Sequence, residues 1–154
     1  MTLTSEQEKL DSILSNYTSS IAYKVLPHEI NYRKAPLPKS IFSKTLELPQ
    51  DKHSDPIQWS EKCVGEYIDD NPCIVIPGRE FDIFGTRHGY GYGWYDRFLS
   101  HVPKEWLRIG IIETSKLYSE KITRQPWDEP VDWILVCNLS TSSWKVYETF
   151  AREN

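Results

Sequence analysis

Four of the chain's seven glycines fall within nine residues, in the stretch Gly85-Thr86-Arg87-His88-Gly89-Tyr90-Gly91-Tyr92-Gly93-Trp94-Tyr95-Asp96-Arg97. Glycines at alternate positions strip side chains from a loop and open positive φ to the backbone. Successive N–H groups can then point into one concavity and hold an anion, most often a phosphate. A helix starting near Gly93 adds its own N-terminal N–H groups to the same spot. Arg87 supplies a forked donor for phosphate oxygens. No Gly-Lys-Ser/Thr follows, so this is not a Walker A loop, and GxGxG is not the dinucleotide GxGxxG. The plainer alternative is a glycine-rich turn packed under Trp94. Asp96, one turn into the helix, could hold Mg²⁺ between nucleotide phosphates, or could simply cap the helix or pair with Arg97. A second acidic run, Trp127-Asp128-Glu129-Pro130-Val131-Asp132, precedes an apolar stretch. In a parallel sheet Asp128 could reach the same metal; otherwise it is a solvated turn residue.

These groups need a scaffold. Leu10, Ile13, Leu14, Tyr17 and Ile21 recur at spacings of three and four, which predicts a helix from Ser5 to about Tyr23, capped by Thr4 or Ser5. Residues 24–56 carry five prolines, so strands there must be short or at an edge, such as Ser40 to Leu48. Trp59 to Tyr67 reads as a short helix. Cys73-Ile74-Val75-Ile76 is an unbroken run of the kind buried on both faces of a parallel sheet. Phe81-Asp82-Ile83-Phe84 leads into the glycine loop, and Trp94 to His101 reads as the helix after it. Leu107 to Ile112 and Val131 to Val136 are further apolar runs, and Ser143 to Phe150 reads as a last strand at an edge. Strands alternating with helices predict an α/β sheet with functional loops at the strand carboxyl ends.

The chain of 154 residues, 39% hydrophobic and 26% charged, suits one domain spanning residues 1–154 with a real core. No stretch approaches the ~20 apolar residues of a membrane span. The N-terminal residues lack the order of a secretory signal. A net charge of -4 disfavours a general nucleic-acid binder. Cys63, Cys73 and Cys137 form no CxxC pair and read as reduced thiols. The expected protein is cytoplasmic and monomeric, with no nucleic-acid or membrane partner.

The residues from Pro77-Gly78-Arg79-Glu80-Phe81-Asp82 through Gly85 to Leu99 resemble the signature of the 5-formyltetrahydrofolate cyclo-ligase family, also called methenyltetrahydrofolate synthetase. That signature reads P-G-x-A-F-D-x-x-G-x-R-L-G-x-G-x-G-Y-Y-D-R-x-L. Asp128-Glu129-Pro130-Val131-Asp132 resembles the family's second motif, D-x-P-V-D, and the two together span about residues 73–136. The resemblance implies a three-layer α/β sandwich with a mostly parallel mixed sheet, Rossmann-like. It implies ATP and Mg²⁺ as cofactors and 5-formyltetrahydrofolate as substrate. The reaction it implies phosphorylates the formyl oxygen, after which the N10 amine closes the ring to 5,10-methenyltetrahydrofolate and phosphate leaves. By position, Arg87, His88, Gly89, Tyr90, Gly91, Tyr92, Gly93, Trp94 and Tyr95 match the ATP loop. Tyr90 to Trp94 also match the stretch that touches folate. Arg87 and Tyr95 are the implied catalytic residues, and Asp96 and Asp128 the implied metal ligands. Trp94 stands where the family has Tyr and keeps a flat face for stacking.

The chain departs from the pattern at His88, where the family has leucine, at Glu80, where it has alanine, and at Val136-Cys137. The family's N-terminal Lys-x-x-x-Arg element has no counterpart: Lys9 stands alone, and the next arginine is Arg33. The upstream region is expected to be short for the family. Glu29 and Glu47 are stand-ins, by location only, for the family's substrate-pocket glutamate. Two readings follow: a cyclo-ligase on a trimmed scaffold, or a relative that binds nucleotide, folate or protein without turnover.

Overall fold

The computed structural model describes residues 5–49, 51, 53–91 and 93–151. Its elements in chain order are α1 (Ser5–Leu14), β1 (Ser19–Tyr23), β2 (Lys44–Leu48), α2 (Pro56–Glu66), β3 (Cys73–Pro77), β4 (Glu80–Asp82), β5 (Arg87–His88), α3 (Trp94–Ser100), β6 (Arg108–Glu113), β7 (Leu117–Tyr118), β8 (Trp133–Asn138) and β9 (Ser143–Glu148), with three short 3-10 turns between them. The main sheet has six strands in the order β2-β1-β3-β6-β8-β9. All its pairings are parallel except β8 with β9. A small second sheet holds β4 between β5 and β7.

The apolar runs form the centre of the sheet because both of their faces are covered. In β3, Ile74 and Ile76 join one core cluster with Cys63 of α2 and Phe98 of α3, while Cys73 and Val75 join a second with Leu10 and Leu14 of α1. Strand β8 divides the same way, Ile134 and Val136 to the first cluster and Trp133 and Leu135 to the second. Helices on both faces of a mostly parallel sheet make the three-layer α/β architecture expected from the sequence. Helix α2 starts where its cap dictates. The Asp55 carboxylate accepts from Ile57 N at 2.9 Å, and Pro56 fills the first helical position.

The N-terminal expectation needs correction. The helix ends at Leu14, and Ser19–Tyr23 is a strand buried along its whole length. Leu10 and Leu14 face the core as the helical spacing requires, yet Ile13 is exposed and Ile21 belongs to β1. A five-residue strand buried on both faces shows no alternation, so its apolar residues fell by chance on the helical period. Thr4 lies outside the described residues. The predicted strand from Ser40 is shortened too: Lys39–Phe42 is a 3-10 turn, and β2 begins at Lys44, at the edge of the sheet as expected.

The chain enters at β1, runs outward to β2, then returns across β1 to β3. The strand order therefore reverses between β1 and β3, and a crevice opens beyond their carboxyl ends. Residues 24–31 leave from the end of β1 and residues 78–79 from the end of β3.

Candidate functional site

A cavity of about 720 Å³ lies at this crevice. Its walls include Leu26, His28 and Glu29 after β1, Arg79 after β3, the glycine loop, and Thr123, Gln125, Trp127 and Asp128 from the connection into β8. A second cavity of about 680 Å³ adjoins it and shares His28, Glu29, Arg79 and Tyr90. Every described residue of the sequence-derived site set lines the first cavity: Arg87, His88, Gly89, Tyr90, Gly91, Gly93, Trp94, Tyr95, Asp96 and Asp128. Tyr92 lies outside the described residues.

Arg87 is buried, at 7% exposure, on short strand β5. Its Nε–H donates to the Pro77 carbonyl at 2.5 Å, and its guanidinium carbon sits 4.6 Å from the Tyr95 ring centroid. Burial pulls the guanidinium below its ordinary value, and the neighbouring Tyr95 and Asp96 oppose that shift. Gly89 is glycine because of this arginine: a Cβ there would stand 2.8 Å from Arg87 Nη1. Gly91 and Gly93 hold φ at +96° and +63°, and a Cβ on either would meet nothing within 4 Å. The loop backbone there borders open space, the form a concave anion cradle takes. Gly93 is also the N-cap of α3.

Trp94 and Tyr95 line the cavity but are buried, at 5% and 3% exposure, in the core beneath it. Trp94 stacks on Phe98 with centroids 5.6 Å apart and donates its indole N–H to Ser54 Oγ at 3.0 Å. The face expected to stack on a ligand is therefore occupied from within, because a helix start carrying Trp-Tyr-x-x-Phe turns these rings toward α2 and the sheet. Burial pushes the Tyr95 phenol far up, so it stays neutral. Among the described residues, the exposed aromatics of the cavity are Tyr90 and Trp127.

Asp96 and Asp128 meet. Both line the cavity, and the Asp128 carboxyl stands close enough to raise the pKa of Asp96, although 32 positions separate them along the chain. Asp96 Oδ1 accepts from Glu129 N at 3.0 Å, and Asp128 Oδ2 accepts from Gln125 N at 2.8 Å. Burial, and the charge of Asp128, raise the Asp96 carboxyl above its ordinary value, against the Glu129 amide. Two carboxyls that repel one another at the edge of a cavity are a fitting donor set for a divalent cation. Among the described residues there is no group of three or more His, Cys, Asp or Glu suited to a metal ion. The coordination would have to be completed by phosphate and water, as Mg²⁺ commonly requires.

Other acidic motif residues build the scaffold. Asp82 is fully buried and accepts from Phe84 N, Thr86 N and Ile122 N, each at 2.9 Å. Asp132 accepts from Arg108 N at 2.9 Å and fixes the start of β8 beside β6.

A profile of the 5-formyltetrahydrofolate cyclo-ligase family matches residues 24–137. The chain belongs to this family. A curated relative from Mycoplasma genitalium, named 5-formyltetrahydrofolate cyclo-ligase, is 41% identical over 69 residues, which are 45% of this chain and 40% of that protein. The chain thus spans about two fifths of the length of the curated relative it matches. A solved structure described as a 5,10-methenyltetrahydrofolate synthetase from Mycoplasma pneumoniae shares the fold, with a TM-score of 0.51 at 21% identity, covering 83% of this chain and 80% of that one.

Within the cyclo-ligase fold, the two glutamate stand-ins separate. Glu29 lines both cavities, whereas Glu47 lies on β2 and accepts from Tyr32 Oη at 2.5 Å. Lys9 does not line either cavity; it pairs with Glu148 of β9 at 2.7 Å. His28, Arg79, Gln125 and Trp127 were not singled out from the sequence as site residues. Arg79 and Trp127 stood inside the quoted motifs and could have been. His28 was hidden by reading β1 as helix, which concealed the strand end from which it projects. All three cysteines are buried and free.

Proposed function

We propose that this cavity binds ATP and Mg²⁺ beside 5-formyltetrahydrofolate, and that the protein converts the folate to 5,10-methenyltetrahydrofolate with release of ADP and phosphate. The observation that carries this reading is the convergence of Asp96 and Asp128 on one cavity wall with the open glycine backbone and Arg87. Mg²⁺ on this carboxylate pair would neutralise phosphate charge and orient the terminal phosphoryl group toward the formyl oxygen.

The chain's own residues would supply the rest. The backbone of Gly89, Gly91 and Gly93 would cradle phosphate oxygens, with Tyr90 bordering the folate side. Arg87, held flat on Tyr95, would donate to the transferred phosphoryl oxygens without having to reorganise. Tyr95, a neutral phenol under that guanidinium, would act by fixing Arg87, and Trp94 would hold the loop from below. Glu29, at the junction of the two cavities, would accept hydrogen bonds from the reduced pterin. The reaction needs no protein nucleophile: phosphorylation turns the formyl oxygen into a leaving group, and the substrate's own N10 closes the ring.

A second reading, nucleotide or folate binding without turnover, is favoured by one observation. Lys9 is engaged with Glu148, and the cations lining the first cavity are Arg79 and Arg87 with two histidines. Mixing the purified chain with 5-formyltetrahydrofolate, ATP and Mg²⁺ separates the two. Growth of the near-ultraviolet absorbance of the methenyl product supports the enzyme. Binding of Mg²⁺-ATP with no such absorbance supports the second reading. Among the described residues no helix is long and apolar enough to cross a membrane. The net charge of -4 supports small-molecule substrates over nucleic acid.

A further inference from the structure

Residues 119–132, between β7 and β8, contain no helix or strand. A connection of that length without regular structure is uncommon in a compact domain and is usually functional. It carries Gln125, Trp127 and Asp128 to the cavity. Its C-terminal end is held by Glu129 N on Asp96 Oδ1 and by Val131 N on the Gly85 carbonyl, each at 3.0 Å, and the stretch before it by side-chain bonds to the hairpin of β4 and β5. Three side chains supply them. Asp82 accepts from Ile122 N at 2.9 Å. Arg124 Nε donates to Thr86 Oγ1 at 3.0 Å and its Nη2 to the Phe84 carbonyl at 3.1 Å. His88 Nε2 donates to the Thr123 carbonyl, while its Nδ1 faces Glu80 Oε1 at 2.6 Å.

Only the last of these three pins lies in the cavity wall, where both His88 and Thr123 are exposed to the ligand space. Glu80 and His88 are directly opposed in the β4–β5 ladder. They are also two of the three positions where the glycine motif departs from its pattern, Trp94 being the third. A carboxylate on one ring nitrogen and a carbonyl on the other leave both nitrogens as donors, so the geometry calls for an imidazolium.

We propose that His88, oriented by Glu80, is a positioning residue that fastens the 119–132 connection and so sets where Asp128 stands against Asp96. The consequence for Mg²⁺-nucleotide binding rests on the function proposed above; the fastening does not. The surrounding charges agree. Burial opposes a charge on His88, yet the Thr123 carbonyl and the Glu80 carboxylate outweigh it and raise its pKa, with Asp128 adding to the effect. His88 in turn lowers Glu80, helped by Tyr118 and Arg79. The fastening is thus complete below the ordinary imidazole range and is lost as pH rises through the raised value.

The test is amide hydrogen exchange on the ligand-free full chain across pH, corrected for intrinsic rates, together with Mg²⁺-ATP titration. H88L removes both donors. It should raise exchange of the 121–128 amides by tenfold or more, leave β3 and β6 protected, and weaken Mg²⁺-ATP by about 10–100-fold, the usual loss when a partner orienting a metal ligand is removed. H88K, which keeps a cation and several donors, should restore part of both. In the wild type, protection of 121–128 should fall with rising pH, and Glu80→Gln should move that fall to lower pH. Unchanged exchange in H88L overturns the fastening. Looser exchange with unaltered Mg²⁺-ATP affinity overturns the positioning role. Should H88L also loosen β3 and β6, the Glu80→Gln pH profile decides, and a profile identical to wild type overturns the proposal. A wild-type chain that binds no Mg²⁺-ATP refutes the proposed function, and the exchange data still judge the pin.

Discussion

Arg87 lies across the face of Tyr95, its guanidinium carbon 4.6 Å from the ring centroid, with Nε–H committed to the Pro77 carbonyl. The arginine is thus fixed from below and from one side, and its two terminal nitrogens lie against Gly89. A planar fork held in this way is pre-organised for phosphate oxygens, which a lysine ammonium is not. Arg87→Lys should lower ATP affinity by about tenfold or more, since a charge-assisted pair is worth roughly 1.5–3 kcal/mol. Tyr95→Phe keeps the platform and should leave ATP affinity nearly unchanged. Calorimetric titration of both variants checks the assignment; equal losses would mean that the phenol oxygen itself touches the ligand.

Gly89 and Gly91 should fail for different reasons. At Gly89 the space is taken: Gly89→Ala drives a methyl against Arg87 Nη1, 2.8 Å from the ideal Cβ, and should displace the guanidinium. Nucleotide binding should weaken with little change in melting temperature, because a long side chain can swing away. At Gly91 the space is open but φ is +96°. Gly91→Val should cost about 1–2 kcal/mol of backbone strain and fill the anion cradle. Urea unfolding with ATP titration reads both effects. A folded Gly91→Val chain with wild-type ATP affinity would remove the cradle from the mechanism.

Much of this site was legible because its chemistry lies in one contiguous stretch. Gly85 to Arg97 reads as a loop shaped to hold an anion, and residues of that loop line the 720 Å³ cavity. The pairing of Asp96 with Asp128 came from the two resembling motifs, the residues alone leaving Asp128 open as a turn residue, and both line the cavity. Three features were not legible, each for a physical reason. Ser19–Tyr23 is buried on both faces, so it lacks the period that marks a strand. Whether Trp94 faces ligand or core depends on Phe98 and Ser54, and the latter is 40 residues away. The pinning of residues 119–132 runs through side chains to a hairpin more than 30 residues earlier, and no local pattern encodes it.

Trp94 therefore belongs to stability before binding. Its ring stacks on Phe98, lies 5.2 Å from Tyr95 and anchors Ser54. Trp94→Ala should cost about 3–5 kcal/mol, the range for removing a buried aromatic. Trp94→Phe keeps the stack and loses the hydrogen bond, for about 1 kcal/mol. Chemical denaturation followed by far-ultraviolet circular dichroism, which does not depend on the deleted fluorophore, measures both. A loss under about 1 kcal/mol for Trp94→Ala would return its ring to the ligand. If the core assignment holds, ligand quenching of fluorescence should survive in Trp94→Phe and come from exposed Trp127 instead.

The Asp96 carboxyl makes both the pH dependence and the proposed metal site testable. Its folded pKa is raised by burial first, with Asp128 adding to it. The folded protein therefore holds a proton that the unfolded chain has already released, and stability falls as pH rises through the window above the ordinary aspartate value. Burial and the neighbouring Asp128 make the charged form of Asp96 costlier in the folded protein than in the unfolded chain. Asp96→Asn removes that charge and keeps an oxygen for the Glu129 amide, so it should melt higher than wild type near pH 7, on the order of 2 °C for a domain of this size. Near pH 3 the two should converge, because Asp96 is then protonated in both folded and unfolded wild type. Mg²⁺ competes with the same proton, so wild-type affinity for Mg²⁺-ATP should increase with pH across the window, and Asp96→Asn should lose that increase along with most of the binding. Thermal melts at several pH values, with and without Mg²⁺-ATP, read all of this in one series. A variant that melts lower than wild type at neutral pH would show that Asp96 stabilises the helix start, and the carboxyl pair would then be a structural contact instead of a metal site.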